Sequence, residues 1–159
     1  MNYMAYHDAD VVNGNGVRCT LFVSGCSHGC KGCYNVDSWN PKHGMEFTQE
    51  CEDRIIADLN DPHKRRQGLS LSGGDRMFHR NREAVLRLVQ RVKAECPDKD
   101  IWLWTGFTAL ECMADPQMKA ILEHVDVLID GKFEQDKYDP ELQWRGSSNQ
   151  QVIKVGDIL

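Results

Sequence analysis

The sequence lacks three features that would place it in large functional classes. It has no apolar run approaching the roughly 20 residues that a bilayer-spanning helix needs, and residues 1–10 lack the basic-then-apolar order of a signal peptide. It also has no surplus of positive charge, because 19 Lys and Arg stand against 24 Asp and Glu. We therefore expect a cytoplasmic protein with no membrane segment and no nucleic-acid partner, since binding to phosphates depends on basic residues.

Internal boundaries are also missing from the 159 residues. No linker rich in proline, glycine or serine divides the chain, and no segment repeats at a fixed period. The short basic run at 64–66 is better explained by a solvated loop than by a binding patch. These observations predict one domain that spans residues 1–159.

Strand-like and helix-like segments alternate along the chain. Residues with β-branched and aromatic side chains predict a first strand over 17–24, and further strands are predicted over 68–72, 101–105, 125–129 and 151–155. Apolar spacing predicts a first helix over 48–59 and a third helix over 108–122 that is interrupted at Pro116. A second helix is predicted to begin after Asn81, which would cap it. Such alternation is typical of an α/β protein with parallel strands.

Seven cysteines are many for a chain of this length, and the odd number disfavours a disulfide framework in a reducing compartment. Cys26, Cys30 and Cys33 are separated by three and then two residues. Structural zinc usually takes four ligands in two pairs, whereas a [4Fe-4S] cluster held by three thiols keeps one iron open for a small molecule. Glycines at 25, 29 and 32 would let the backbone curve around such a cluster.

The other potential ligands have simpler interpretations. Cys19, Cys51, Cys96 and Cys112 fall in predicted strands, helices or helix ends, where free cysteine usually packs as a small apolar residue. His28 lies inside the cysteine loop, and we expect a solvated or hydrogen-bonded imidazole there in preference to a fourth ligand.

The cysteine spacing directly after the first strand resembles the cluster motif of the radical S-adenosylmethionine superfamily. Within that superfamily, the sequence resembles the activating proteins of anaerobic ribonucleoside-triphosphate reductases. The similar segments occur in the family's order and cover residues 12–18, 30–35, 69–75, 130–133 and 144–150. The sequence departs from the family at two positions, since the family usually has proline where Asn15 and Arg76 stand.

This resemblance implies a short, incomplete (β/α) barrel of mostly parallel strands. It implies a [4Fe-4S] cluster on Cys26, Cys30 and Cys33, and S-adenosylmethionine as the second cofactor. The implied contacts with S-adenosylmethionine are Gly32, Cys33, Tyr34 beside the adenine, Gly73, Gly74 and Asp75. Without the cysteine loop, 73–75 would be an ordinary turn. A side chain at position 74 is expected to obstruct S-adenosylmethionine and to leave the cluster intact.

The implied activity is the activation of another protein. In the family, the reduced cluster cleaves S-adenosylmethionine to a 5′-deoxyadenosyl radical, which removes hydrogen from a glycine of the anaerobic reductase. A flavodoxin-type protein is the implied electron donor.

Two alternatives remain open from the sequence. The chain could act on a small molecule or activate a different glycyl-radical enzyme, such as a formate lyase, although the segment 145–150 argues against this. It could also be a non-catalytic interaction module that binds zinc or an iron-sulfur cluster. Bound zinc without colour would distinguish a zinc module from a brown protein with acid-labile sulfide.

Overall fold

The computed structural model describes residues 1–159, which form one seven-stranded mixed sheet and four α-helices. The strands are β1 (Asn2–Asp10), β2 (Arg18–Val23), β3 (Met45–Glu46), β4 (Gly68–Gly73), β5 (Asp100–Trp104), β6 (Val127–Asp130) and β7 (Gln151–Lys154). The helices are α1 (Gln49–Leu59), α2 (Arg82–Glu95), α3 (Ala109–Ala114) and α4 (Pro116–Leu122). No helix is both long enough and apolar enough to cross a membrane.

The sheet has the strand order β3-β1-β2-β4-β5-β6-β7. Neighbouring strands among β2, β4, β5 and β6 are parallel, which confirms the α/β prediction for the centre of the sheet. The pairs β1–β2, β1–β3 and β6–β7 are antiparallel. The sheet is open, with β3 and β7 at its edges, so the expected incomplete barrel is not confirmed.

The core lies between one face of the sheet and the helices. Alternating strand residues point to this face because successive side chains of a strand lie on opposite sides. The buried cluster includes Cys19, Leu21, Leu69, Leu71, Ile101 and Leu103 from strands, and Ile55, Leu88, Val89 and Ile121 from helices. Cys96 and Cys112 are buried in the same cluster, as predicted, whereas Cys51 is only partly buried.

The helix boundaries follow local chemistry. The Thr48 side chain accepts a hydrogen bond from the Cys51 amide and caps α1. Pro116 begins α4 and separates it from α3, because proline lacks the amide hydrogen that a continuous helix would use.

The basic run at 64–66 is only partly solvated. Arg66 is 2% exposed, so the prediction of a solvated face is wrong at this position. Its guanidinium donates to the backbone carbonyls of Asp8, Asp58 and Lys64, which compensate its burial. These bonds attach the connection after α1 to β1.

The parallel strands β2, β4 and β5 end at the same edge of the sheet. Ligands of open α/β sheets collect at this carboxyl edge. The chain places three connections there, namely the cysteine loop after β2, the segment 74–76 after β4 and the turn 105–107 after β5.

Candidate functional site

The cysteine loop is fastened to the short 3-10 helix that follows it. The Gly25 amide donates to the Ser38 carbonyl at 2.7 Å, and the Cys26 amide donates to the Trp39 carbonyl at 3.1 Å. Gly25 has φ +102°, a conformation that side chains rarely adopt, and Gly29 and Gly32 also have positive φ. The curvature that the glycine spacing predicted is therefore present.

The loop carries three free, partly exposed thiols at Cys26, Cys30 and Cys33. Burial raises the pKa of Cys26 and of Cys30, and the neighbouring Cys33 adds to the effect on Cys30. The Asn35 amide donates to Cys33 Sγ at 3.4 Å. A bound metal would stabilise the thiolate forms, because a coordinating thiol is deprotonated.

The end of β4 lies directly against this loop. The Asp75 amide donates to the Gly25 carbonyl at 2.7 Å, and the Gly74 amide donates to Val23 at 2.7 Å. A Cβ atom at Gly74 would lie 2.6 Å from the Gly25 carbonyl oxygen and 2.9 Å from that of Ser38. The structure thus brings 73–75 and the cysteine loop together, as the sequence predicted.

This packing changes one expectation. The missing Cβ of Gly74 points toward the backbone of the cysteine loop. A side chain at position 74 would therefore displace the loop itself, and we no longer expect the cluster site to stay intact when Gly74 is replaced.

Hydrogen bonds to Asp75, in the segment after β4, join that segment to the cysteine loop and to the turn after β5. Its carboxylate is buried and accepts hydrogen bonds from Thr105 Oγ1 at 2.8 Å, the Met77 amide at 2.8 Å and the Gly106 amide at 3.1 Å. His28 Nε2 lies 2.5 Å from Asp75 Oδ2. Burial opposes ionisation, but the His28 bond and neighbouring charges hold the pKa of Asp75 below its usual value. Since an ionised carboxylate only accepts, Nε2 is the protonated nitrogen that donates.

This contact confirms the hydrogen-bonded imidazole predicted for His28. The potential ligand atoms of Cys26, His28 and Asp75 lie within 4.8 Å of one another, which raises the question of a single metal ion. His28 and Asp75, however, are hydrogen-bonded to each other, and Thr105 and the Gly106 amide also donate to the Asp75 carboxylate. These two side chains are therefore already engaged and not free to bind a metal. The free donors are the thiols, and a donor set of sulfur alone suits an iron-sulfur cluster.

Arg76 is a site residue whose burial the sequence pattern did not predict. Its side chain is 3% exposed, and Nη1 donates to the Gly74 carbonyl at 2.8 Å. Arg76 Nε is buried and has no hydrogen-bond partner. Because the Cβ position of Gly74 lies 2.6 Å from the Gly25 carbonyl oxygen, the bond from Nη1 holds the guanidinium beside the start of the cysteine loop. Its charge there opposes the rise that burial gives to the pKa of the Cys26 thiol. The only signal in the sequence was the departure from the family's proline.

Asn81 also contributes to the site in an unexpected way. It precedes α2, but its side chain makes no capping bond because its backbone is already helical. The amide instead donates to the Ser24 carbonyl at 2.8 Å and to the Asp75 carbonyl at 3.0 Å. Asn81 therefore links the first residues of the cysteine loop to the segment after β4.

Two open grooves lie near this edge, and Lys31 of the cysteine loop lines one of them. One, of about 510 Å³, is lined by Gly106, Thr108 to Glu111 and Asp130 to Lys132, with Asn149. The other, of about 500 Å³, lies between Lys31 and residues 133–136. Tyr34 is 95% exposed on the same loop. This edge is therefore accessible to a ligand or to a segment of another protein.

Trp144 and Trp39 have different environments in the structure. Trp144 packs edge-on against Trp102, with ring centroids 4.7 Å apart, and its carbonyl accepts a bond from Trp104 Nε1. Trp39 contributes its backbone carbonyl to the cysteine loop. Trp144 therefore supports the sheet.

Known proteins are similar to this chain over nearly its whole length. Residues 12–153 match the family model described as "4Fe-4S single cluster domain". The chain is 61% identical over 152 residues to the anaerobic ribonucleoside-triphosphate reductase-activating protein of Vibrio cholerae, covering 96% of this chain and 97% of the relative. The Escherichia coli K12 protein of the same name is 56% identical, with the same coverage. The protein of that name from Enterobacteria phage T4 is 44% identical, covering 96% of this chain and 93% of its own. The chain belongs to the family of anaerobic ribonucleoside-triphosphate reductase-activating proteins, with a 4Fe-4S single cluster domain.

Proposed function

We propose that the chain activates an anaerobic ribonucleoside-triphosphate reductase by creating a glycyl radical on that protein. When bound, the cluster and S-adenosylmethionine would together supply a 5′-deoxyadenosyl radical able to remove hydrogen from a glycine Cα. The observation that carries this proposal is the contact between the free-thiol loop and residues 73–75 at the carboxyl edge. The family match supports the same target.

The proposal gives each part of the edge a task. Cys26, Cys30 and Cys33 would hold the cluster and leave one iron open. Gly32, Cys33 and Tyr34 would contact S-adenosylmethionine from the loop, and Gly73, Gly74 and Asp75 would bound it from the β4 side. Asp75 fixes the relative positions of the surrounding connections, because its buried carboxylate receives hydrogen bonds from His28 and from the turn after β5.

A protein substrate suits the form of this edge. The grooves near the loop are open, and Glu134 contributes to the lining of both. An exposed chain segment could enter them without a closing lid. We further propose a flavodoxin-type electron donor and a cytoplasmic location, where seven free cysteines would remain reduced.

Anaerobic reconstitution tests the cofactor part of this proposal. The protein should bind iron and acid-labile sulfide, and with dithionite it should cleave S-adenosylmethionine to methionine and 5′-deoxyadenosine, measured by chromatography. Replacing Cys26, Cys30 or Cys33 singly by alanine should abolish both. Cys112→Ala is the control and should retain both, because Cys112 lies in the helix-side core. Zinc binding without sulfide would instead support the interaction module.

A further inference from the structure

The buried guanidinium of Arg76 makes fewer hydrogen bonds than its N–H donors allow, and it has no anion bonded to it. Arginine carries five N–H donors and stays protonated near neutral pH. Here Nη1 donates to the Gly74 carbonyl, whereas the buried Nε has no partner. An unsatisfied buried donor on a charged group costs stability. The unpaired Nε therefore indicates that a negatively charged group accepts its hydrogen bond when the site is occupied.

The position of Arg76 identifies the side on which that acceptor lies. Its Nη1 donates to the Gly74 carbonyl, and the Cβ position of Gly74 lies 2.6 Å from the Gly25 carbonyl oxygen at the start of the cysteine loop. The guanidinium therefore lies at the Cys26 end of that loop, where its charge opposes the rise that burial gives to the pKa of the Cys26 thiol. Asp75 already receives bonds from His28, Thr105 and two amides, and it does not bond the orphaned nitrogen. The Cys26 side of the loop is therefore where an added negative charge would meet the guanidinium.

We propose that Arg76 is the charge partner of the cluster and raises its reduction potential. This inference rests on the proposed function, because it requires the cluster on the cysteine loop. A cluster held by three thiolates is negatively charged, and one electron from an external donor makes it more negative. A fixed cation in a buried site stabilises the more negative state, so it favours reduction.

The backbone at Arg76 allows variants that remove the positive charge without removing a backbone hydrogen bond. The Arg76 amide makes no hydrogen bond within the chain, so proline at this position removes no internal bond. Arg76→Met removes the charge and keeps much of the buried length, whereas Arg76→Lys retains a positive charge. Arg76→Pro restores the residue typical of the family.

A redox titration monitored by electron paramagnetic resonance, without S-adenosylmethionine, tests the inference. We expect the midpoint potential to fall in Arg76→Met and Arg76→Pro by about 59 mV or more, a tenfold change in the one-electron equilibrium. Arg76→Lys should stay closer to the wild-type value. Iron and sulfide content confirms that each variant carries its cluster, and either uncharged variant alone suffices for the comparison.

Two results would overturn the inference. The first is an unchanged potential in uncharged variants that retain the cluster; if a separate equilibrium measurement then shows weaker binding of S-adenosylmethionine, Arg76 is assigned to the carboxylate of that cofactor. The second is an equal fall in Arg76→Lys, which would show that the charge is not responsible. Failure of the wild type to bind any cluster would instead contradict the proposed function.

Discussion

At the scale of single residues, the site depends on a glycine that leaves room for the neighbouring backbone and on a buried carboxylate beside it. Gly74 has no room for a Cβ atom because the carbonyl oxygens of Gly25 in the cysteine loop and Ser38 in the 3-10 helix lie 2.6 and 2.9 Å from that position. Asp75, the next residue, is buried and tied to the turn after β5. The end of β4 therefore determines where the cysteine loop lies.

Replacing Gly74 by alanine should disturb both stability and cluster binding. The added methyl group must push the Gly25 carbonyl away, and overpacking of this kind typically costs about 1–3 kcal/mol. We expect a lower midpoint in anaerobic urea unfolding and reduced iron per chain. Gly156→Ala is the matched control, since no atom lies within 4 Å of its Cβ position. Full iron content and unchanged stability in Gly74→Ala would show that the loop adapts without cost.

The sequence predicted some residues of this site and missed others for a physical reason. The cysteine spacing and residues 73–75 were visible because they are contiguous motifs. Thr105 and Gly106 were not, because their role depends on parallel pairing that places the end of β5 beside β4. Arg76 differs from the family's proline in the sequence, but its burial depends on tertiary packing and so could not be predicted.

At the scale of elements, the central alternation of strands and helices was predictable from apolar spacing. β1 was not predicted, because its sequence has no clear alternation of apolar and polar positions and Asp10 is its only buried residue. β3 has only two residues and exists through pairing with β1. Antiparallel strands of this kind depend on long-range pairing more than on local pattern.

The junction between α3 and α4 gives a prediction at this scale. The Asp115 side chain caps α4 by accepting bonds from the Gln117 and Met118 amides, and it pairs with Arg82 of α2 at 2.9 Å. Asp115→Ala should lower the free energy of unfolding by about 1 kcal/mol, as expected for a lost N-cap. Urea unfolding measures this change.

A control separates the cap from a general effect of charge. Glu141→Ala removes an exposed carboxylate outside any helix and should change stability by less than about 0.5 kcal/mol. An equal effect of the two substitutions would mean that the Asp115 cap does not hold the junction. Iron binding should be retained in both variants, because neither residue contacts the cysteine loop.

At the scale of the whole molecule, four parallel strands gather the functional connections at one edge, and antiparallel strands extend the sheet on both sides. The fold places the grooves near the cysteine loop at that same edge. The net charge of −5 and the open grooves favour a protein segment as the substrate over a phosphate-rich one. We therefore expect activation to require both this edge and a segment of the partner protein that enters its grooves.

The most direct measurement is the electron paramagnetic resonance spectrum of the anaerobic reductase after incubation with this protein, S-adenosylmethionine and dithionite. The account predicts a glycyl radical signal on the reductase, with altered hyperfine splitting when its glycine is deuterated. A reductase variant with alanine in place of that glycine should bind and yield no signal. If the cluster is intact and S-adenosylmethionine is cleaved but no radical forms on the reductase, the activating role is contradicted.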